Sequence, residues 1–442
     1  MVSFTLDAFL AKHGLGVGDK IIATWKNTHV EGTILPQTSG SSPFLHIKLA
    51  SGYNTGLGIE HISAVQKEKT PTQTFDTFAP QEHMEKKSAN KHPQLSLITA
   101  GGTIGSKVDY KKAGTSPLMS SEEIVGMIPE IGEFAQFGSI VSPFSKLSGK
   151  MEPEDWIQLA HACEHELNKP EIKGVLLTHG TDTLHYTAAA LSFMLRGLHK
   201  PLVLVGAQRS SDRGSSDTQF NLISACHVAL SDMAEVGICM HETTSDDTCI
   251  FTRGTKVRKM HSSRRDAFRP INDIPLARIT PHSGEVKMLQ HATPRRENGK
   301  VELDAVFEKN IALIKVYPGM PKELLEFYAQ RGVKGIILEA TGLGHTHTDL
   351  HPTIQHLTQK GVPVFVTTQT MYGRVNLNVY SYGRQLLEAG AVGLEDMLPE
   401  VAYVKLGWVL AHTRDPAKVR EMMLTPYAGE ITPQSRVDAF LN

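Results

Sequence analysis

The sequence predicts an α/β chain: two doubly wound units, a larger and a smaller, preceded by a small β-barrel module. Three features carry that reading. Short apolar runs alternate with helical patterns from Leu95 onward, which is how parallel strands and their crossover helices read in sequence. The first seventy or so residues instead show closely spaced strand-like pieces broken by Gly, Ser, Asn and Pro, the punctuation of a small all-β module. Between the two lies a polar, charged stretch.

In chain order, Val17-Gly18-Asp19 leads into a strand from Lys20 to Trp25, and further strands are expected at His29–Leu35, Phe44–Leu49 and Tyr53–Ile59. From Gln66 to His92 the composition is too poor in apolar residues to form a core, as expected of a linker. The N-terminal module is therefore assigned to residues 1–75 and the linker to 76–93. Beyond it, buried strands are expected at Leu95–Thr99, Gly174–Thr178, Leu202–Val205, Ile311–Val316, Gly335–Leu338 and Val362–Thr367. Helical patterns cover Leu184–Leu198, Phe220–Ala234, Pro321–Arg331 and Asp349–Gln359. The polar stretch Gln290–Ala305 divides a larger α/β domain, 94–290, from a smaller one, 291–442. No internal repeat is visible.

Bulk properties narrow the function classes. A hydrophobic content of 40% and a charged content of 21% over 442 residues describe an ordinary globular chain with a sizeable core. Lys+Arg 45 against Asp+Glu 46 leaves a net charge of -1, so the basic excess expected of a nucleic-acid binder is absent. Cys163, Cys226, Cys239 and Cys249 show no C-x-x-C spacing. No apolar run reaches the roughly 18 residues that span a bilayer, and Met1–Asp7 lacks the basic and apolar regions of a signal peptide. A cytoplasmic location without membrane contact is expected.

Two strand-end turns carry the chemistry. One is Thr99-Ala100-Gly101-Gly102-Thr103-Ile104-Gly105, the other Thr178-His179-Gly180-Thr181-Asp182-Thr183. Carboxyl ends of parallel strands are where ligands bind in open α/β sheets, and glycine lets the backbone approach a ligand closely. Either turn alone is compatible with a phosphate-binding loop, although neither G-x-x-x-x-G-K-[ST] nor G-x-G-x-x-G is present. Brought together, they would put Thr103, Thr181 and Asp182 in one crevice, where a threonine hydroxyl needs an activating base before it can act as a nucleophile.

The two turns together resemble the signatures of the asparaginase/glutaminase family, which read roughly TGGTIA and HGTDT. The resemblance implies an asparaginase-like two-domain fold and hydrolysis of a side-chain amide. It assigns Thr103 as nucleophile, Tyr110 to a loop that closes over the substrate, and Thr181 and Asp182 to an activation relay. The relay's lysine should lie nine residues before the phenylalanine of a D-A-F-like segment, which selects Lys259 over Lys256. Ser148 and Gly180 become substrate-binding positions, Ser148 receiving the α-carboxylate, with Asp182 also facing the α-ammonium. Read without the resemblance, Ser148 is also an ordinary turn serine and Asp182 a helix N-cap.

Plain members of that family resemble the chain only from Gln94 onward. The N-terminal module, the run Leu147–Trp156 and the run Arg258–Phe268 are similar to a branch of the family, the D subunits of archaeal glutamyl-tRNA(Gln) amidotransferases. That resemblance implies glutamine as substrate, a homodimer, and a partner, the E subunit, which receives the ammonia, binds Glu-tRNA(Gln) and uses ATP and magnesium. It implies no cofactor in this chain. A stand-alone L-asparaginase and a non-catalytic scaffold on a degenerate amidase fold are the alternatives. The histidines His345, His347 and His351 have metal-ligand chemistry, but they sit in a loop entering a helix with no cysteine near, and no metal is expected. The charged run Arg253–Arg265 reads either as a nucleic-acid patch or, more simply, as the setting of Lys259.

Overall fold

The protein is described by a computed structural model that covers residues 6–26, 28–35, 44–49, 54–67, 94–101, 106–109, 114–117, 128–209 and 215–440. At the N-terminus a helix, Leu6–His13, precedes five antiparallel strands: Lys20–Trp25, Thr28–Ile34, Phe44–Leu49, Asn54–Gly58 and Ile62–Lys67. The first strand is an interior strand, pairing with both the second and the fifth. Its alternation places Ile21 and Ala23 inward, where they meet Ile34, Leu45, Ile47, Leu57 and the helix residues Leu6 and Phe9 in a separate core. Two of these elements escape sequence reading. The helix is short, and Ile62–Lys67 is a mostly exposed edge strand whose polar residues resemble the linker that follows.

The larger α/β unit is built on an eight-stranded sheet. Its order runs Glu285–Met288, Ala277–Thr280, Cys249–Arg253, Val236–His241, Leu202–Val205, Ile172–Thr178, Gln94–Thr99, Gln136–Val141. The last five are mutually parallel. Their near-continuous apolar runs follow from burial on both faces. Odd and even residues divide between two cores: Val175 and Leu177 face the helices Pro153–Leu167 and Leu184–Met194, whereas Leu176 faces the helix Thr218–Ala229. The first three strands are antiparallel additions, so the sheet is mixed where the sequence suggests doubly wound strands throughout.

The helix expected over Leu184–Leu198 stops at Met194, and Leu195–Arg196 pairs instead with Glu302–Leu303. Gly197 then turns with φ +69°, a conformation that glycine adopts without strain. The polar stretch Gln290–Ala305 thus contributes a strand of its own. The helix Pro153–Leu167 begins with Pro at its first turn, and the Asp155 carboxylate accepts from the Glu152 N–H at 2.9 Å, a reciprocal N-terminal cap.

The smaller unit carries four parallel strands, Ala312–Lys315, Ile336–Ala340, Val364–Thr368 and Val392–Gly393, with helices Glu323–Gln330, His351–Gln359 and Ser381–Glu388. The helix Pro399–His412 joins the two units. Its Val401, Leu406, Trp408 and Leu410 share one core with Phe193 and Met194 of the larger unit and with Ile337 and Phe365 of the smaller. Among the described residues no helix is long and apolar enough to cross a membrane.

Within this joining helix Lys405 is fully buried. Its Nζ donates to Glu430 Oε1 at 2.5 Å and to the carbonyls of Met423 and Thr425, while Glu430 also accepts from the Tyr427 and Ala428 N–H groups. Removing one member of such a pair strands the other charge. Glu430→Ala is expected to lower unfolding free energy by about 3–5 kcal/mol in urea titration.

Candidate active site

Three neighbouring parallel strands end level with one another. Thr178 stands opposite Thr99 on one side and Val205 on the other. The ladder extends one step past the strands, the Ala100 N–H reaching the Thr178 carbonyl at 3.0 Å and the His179 N–H the Val205 carbonyl at 3.0 Å. Both sequence-predicted turns therefore begin at the same height on adjacent strands. Gly101 adopts φ +94°, and a Cβ there would lie 2.6 Å from the Lys146 carbonyl oxygen. That close approach lets the Lys146 N–H bond the Ala100 carbonyl at 3.1 Å, which brings the loop before Ser148 against the first turn.

Ser148 is buried and abuts Gly180, where a Cβ would meet its Oγ at 2.6 Å. Its hydroxyl accepts from the Asp182 N–H at 3.2 Å, and its carbonyl accepts from the Thr183 hydroxyl at 2.8 Å. The loop is anchored by Lys146, whose ammonium meets the buried Asp155 carboxylate at 2.6 Å. Asp182 does not cap the next helix; the N-cap residue of Leu184–Met194 is Thr183.

The second turn meets a lysine. Lys259 Nζ lies 2.9 Å from Thr181 Oγ1 and 2.8 Å from Asp182 Oδ1. Thr181 is buried, its methyl lying where Gly206 leaves no Cβ, and its hydroxyl stands 3.4 Å from Gln208 Oε1. Asp182 is 73% exposed whereas Lys259 is only 10% exposed, so the carboxylate opens to solvent and the ammonium faces inward. Lys259 ends the strand Val257–Lys259, which pairs with Phe268–Pro270 so that Lys259 stands opposite Phe268. The nine-residue spacing is thus the register of a hairpin. Asp266 at its tip accepts two hydrogen bonds from Arg264 at 2.8 Å and one from Arg269 at 2.9 Å. The Arg264 guanidinium holds the Asp266 carboxyl below its ordinary range.

Lys256 is placed elsewhere. It is fully buried, and its Nζ meets Asp396 Oδ2 at 2.7 Å. The other cations from Arg253 to Arg265 are matched as well: Arg253 with Glu235, Arg258 with Glu400, Arg264 with Asp266, and Arg265 with Asp246. That run is a paired framework around Lys259.

Sequence reading missed three contributors. Gln208 is held by Asp217, which accepts its backbone N–H at 3.0 Å. Glu400 lies at the start of the joining helix, and its Oε1 is 2.9 Å from Arg258 Nε, beside Lys259. Burial pushes the Glu400 carboxyl above the usual range, and Arg258 pulls it part of the way back. His179, inside the second turn, donates from Nδ1 to the Gly180 carbonyl at 2.7 Å and accepts from the Thr187 hydroxyl at Nε2, 3.0 Å away. Only His179, through its place in the motif, left any signal in the sequence. Thr103 and Tyr110 lie outside the described residues. The three histidines with metal-ligand chemistry have separate partners: His347 Nδ1 accepts from the Asp349 N–H, His351 meets the Thr346 hydroxyl, and His345 lies against Tyr380 and Tyr382.

Family models match the chain in three blocks: asparaginase, N-terminal, over residues 94–294; the glutaminase/asparaginase C-terminal domain over 310–423; and the GatD N-terminal domain over 15–67. Among solved structures, the thermostable L-asparaginase of Thermococcus kodakarensis is 32% identical with a TM-score of 0.68, spanning 77% of this chain and 100% of its own. L-asparaginase I of Vibrio cholerae is 27% identical with a TM-score of 0.67, spanning 77% of this chain and 99% of its own. The α/β units and the Thr181–Asp182–Lys259 cluster thus sit on an asparaginase-type amidohydrolase scaffold. Relatives over the full length are D subunits of glutamyl-tRNA(Gln) amidotransferases. That of Thermococcus kodakarensis is 48% identical over 99% of both chains, and that of Pyrococcus abyssi 47% identical over 99% of both. The chain belongs to the family of glutamyl-tRNA(Gln) amidotransferase D subunits.

Burial draws the His179 imidazole down from its ordinary 6.5 to about 4, and that of His185 to about 3. Both rings are neutral when folded, whereas the unfolded chain takes up their protons below pH 6.5. Their contribution is therefore complete above that pH and is lost as pH falls toward the folded values. For His179 the loss is on the order of 3 kcal/mol. Urea midpoints measured from pH 7 down to pH 4.5 should fall, and His179→Gln should flatten that dependence.

Proposed function

We propose that this chain is the glutamine-hydrolysing component of a tRNA-dependent amidotransferase and releases ammonia for a partner. The observation that carries the proposal is the single ammonium of Lys259 shared between Thr181 Oγ1 at 2.9 Å and Asp182 Oδ1 at 2.8 Å. A threonine is activated only when a base can take its proton, and the Lys259 amine is such a group once its ammonium has passed a proton to the Asp182 carboxylate or to solvent. In this reading Thr103 attacks the side-chain carboxamide carbon of glutamine. Its proton passes into the Thr181–Lys259 relay and returns to the departing nitrogen as ammonia leaves. Water then cleaves the acyl-threonine ester, releasing glutamate. Tyr110 closes over the bound substrate. Ser148 donates to the α-carboxylate, Gly180 gives that group room, and Asp182 receives the α-ammonium.

The amidotransferase reading over a stand-alone L-asparaginase is supported by the match of residues 15–67 to the GatD N-terminal domain and by full-length relatives at 48% identity. The asparaginase reading has its own support in the solved L-asparaginases, yet these span only 77% of the chain. Ammonia goes to the E subunit, which holds Glu-tRNA(Gln), ATP and magnesium, and this chain uses no cofactor or metal. The lack of a nucleotide-binding loop motif in the sequence agrees with that division. The chain acts in the cytoplasm as a homodimer, with residues 1–75 as an accessory module joined by the linker 76–93.

Thr103→Ala, Thr181→Ala, Asp182→Asn and Lys259→Ala are each expected to reduce ammonia release from glutamine by at least about a hundredfold, with circular dichroism unchanged. Lys256→Ala should chiefly lower stability. A Lys259→Ala protein of near-normal activity would show that the relay is wrongly assigned.

Coupling is tested in the assembled enzyme. The chain should sediment as a dimer, and adding the partner with charged tRNA should raise glutamine turnover, since an uncoupled glutaminase would dissipate its substrate. Such a response requires the partner complex to favour the closed site. Equal rates with and without partner and tRNA would refute the coupling and leave the amidase assignment standing. Brisk asparagine hydrolysis by the chain alone, with no gain from the partner, would favour the stand-alone enzyme.

A further inference from the structure

A second cluster of unusual chemistry lies at the opposite end of the large sheet. The active site occupies the carboxyl ends of the parallel strands, whereas this cluster surrounds Val236, the residue that opens the strand Val236–His241. A cavity of about 360 Å³ opens there, lined by Arg196, Arg253, Arg296, Glu235, Thr293 and Tyr427 among others.

The arginines are held in different ways, and none is neutralised in full. The Arg196 guanidinium lies over two rings, 4.9 Å from the centre of Tyr427 and 5.6 Å from that of Trp408. It has no hydrogen-bond or carboxylate partner among the described residues. Stacking fixes the plane of a guanidinium while leaving its N–H edge free. Arg296 donates to the Gly197 and Leu198 carbonyls at 3.3 and 3.1 Å, which positions its charge without cancelling it. Arg253 reaches Glu235 Oε1 at 3.3 Å, but that same oxygen already accepts from the Thr293 N–H at 2.8 Å and the Thr293 hydroxyl at 2.9 Å. On its other side Arg253 lies flat on Gly429, where a Cβ would stand 2.5 Å from Nη1.

Three guanidinium groups against one carboxylate leave two uncompensated positive charges around one cavity. Forked guanidinium donors match the oxygens of phosphate, and a phosphate monoester carries roughly −1.5 to −2 charge at neutral pH. The volume falls near the small end of ligand pockets, which run from about 300 to 1,000 Å³. We propose that the Arg196–Arg253–Arg296 cavity binds the phosphoryl group of a small phosphorylated molecule, at a site separate from the amidase centre.

The test is calorimetric titration of the full-length protein with orthophosphate, pyrophosphate and a nucleoside monophosphate, which separates a free phosphate source from an esterified one. Saturable binding of at least one is expected, weakened about tenfold or more in Arg196→Gln and in Arg253→Gln, because a hydrogen bond to a charged group is worth about 1.5–3 kcal/mol. Arg296→Gln changes an exposed side chain and should weaken binding too, which keeps the test decisive where the stacking of the half-buried Arg196 matters for folding. Amide hydrolysis by Arg196→Gln should match that of the parent protein. The proposal is overturned if none of the three ligands binds saturably, or if affinity is the same in parent and all variants.

Discussion

The level ending of three parallel strands is the constraint on which the site depends. Thr99, Thr178 and Val205 stand in one register, and the ladder continues through Ala100 and His179. A slip of one residue would turn every side chain to the opposite face and would part the two turns. With the register fixed, the remaining geometry follows from close approaches. Gly101 brings the Lys146 backbone in, Gly180 brings Ser148 in, and Gly206 leaves space for the Thr181 methyl. Each of these glycines marks a place where one chain segment touches another, and the three together collect Ser148, Thr181 and Asp182 at one end of the sheet.

Lys259 reaches that cluster from a separate hairpin, and a hairpin of three-residue strands is a weak support on its own. Its position is secured by two charge pairs that immediately precede it in sequence. Lys256 is locked to Asp396, and Arg258 is bound to Glu400. Both carboxylates belong to the C-terminal unit, next to or within the joining helix. Buried ion pairs add little net stability compared with apolar packing, but breaking one is costly. Here they serve to fix one arrangement: the lysine of the larger unit is set by residues of the smaller, so the two units must be packed for the relay to exist.

Three of the five parallel strands were legible because burial on both faces writes itself as unbroken apolar runs such as Val175-Leu176-Leu177, whereas the parallel strands Gln136–Val141 and Val236–His241 were not among those expected. The antiparallel half was not legible either. Ala277–Thr280 and Glu285–Met288 are four-residue strands with exposed or half-exposed alternate positions, and so short an alternation does not stand out from loop composition. The helix Pro153–Leu167 carried a proline and acids in its first turn, signals that mark a helix start but that the pattern of strands overshadowed. In the site, the residues within motifs could be named from the sequence, and Lys259 came from the family resemblance through its nine-residue spacing to Phe268, which in the structure is a hairpin register. Glu400 and Gln208 could not be named, because each meets its partner only through tertiary packing: Glu400 lies far along the chain from Arg258, and Gln208 is aimed by Asp217.

One segment connects the two ends of the sheet. Arg253 closes the strand Cys249–Arg253, and Lys259 closes the next strand, Val257–Lys259. The turn between them is clamped. The Lys256 N–H bonds the Arg253 carbonyl at 3.0 Å, the Thr255 hydroxyl bonds the Ala428 carbonyl at 2.8 Å, and the Lys256 side chain is buried on Asp396. An influence passing along this route would need two arrangements of the turn that a ligand could distinguish. These contacts tie the turn to the C-terminal unit at two points, and the neutral overall balance of the chain conceals two charge clusters carried by one short segment.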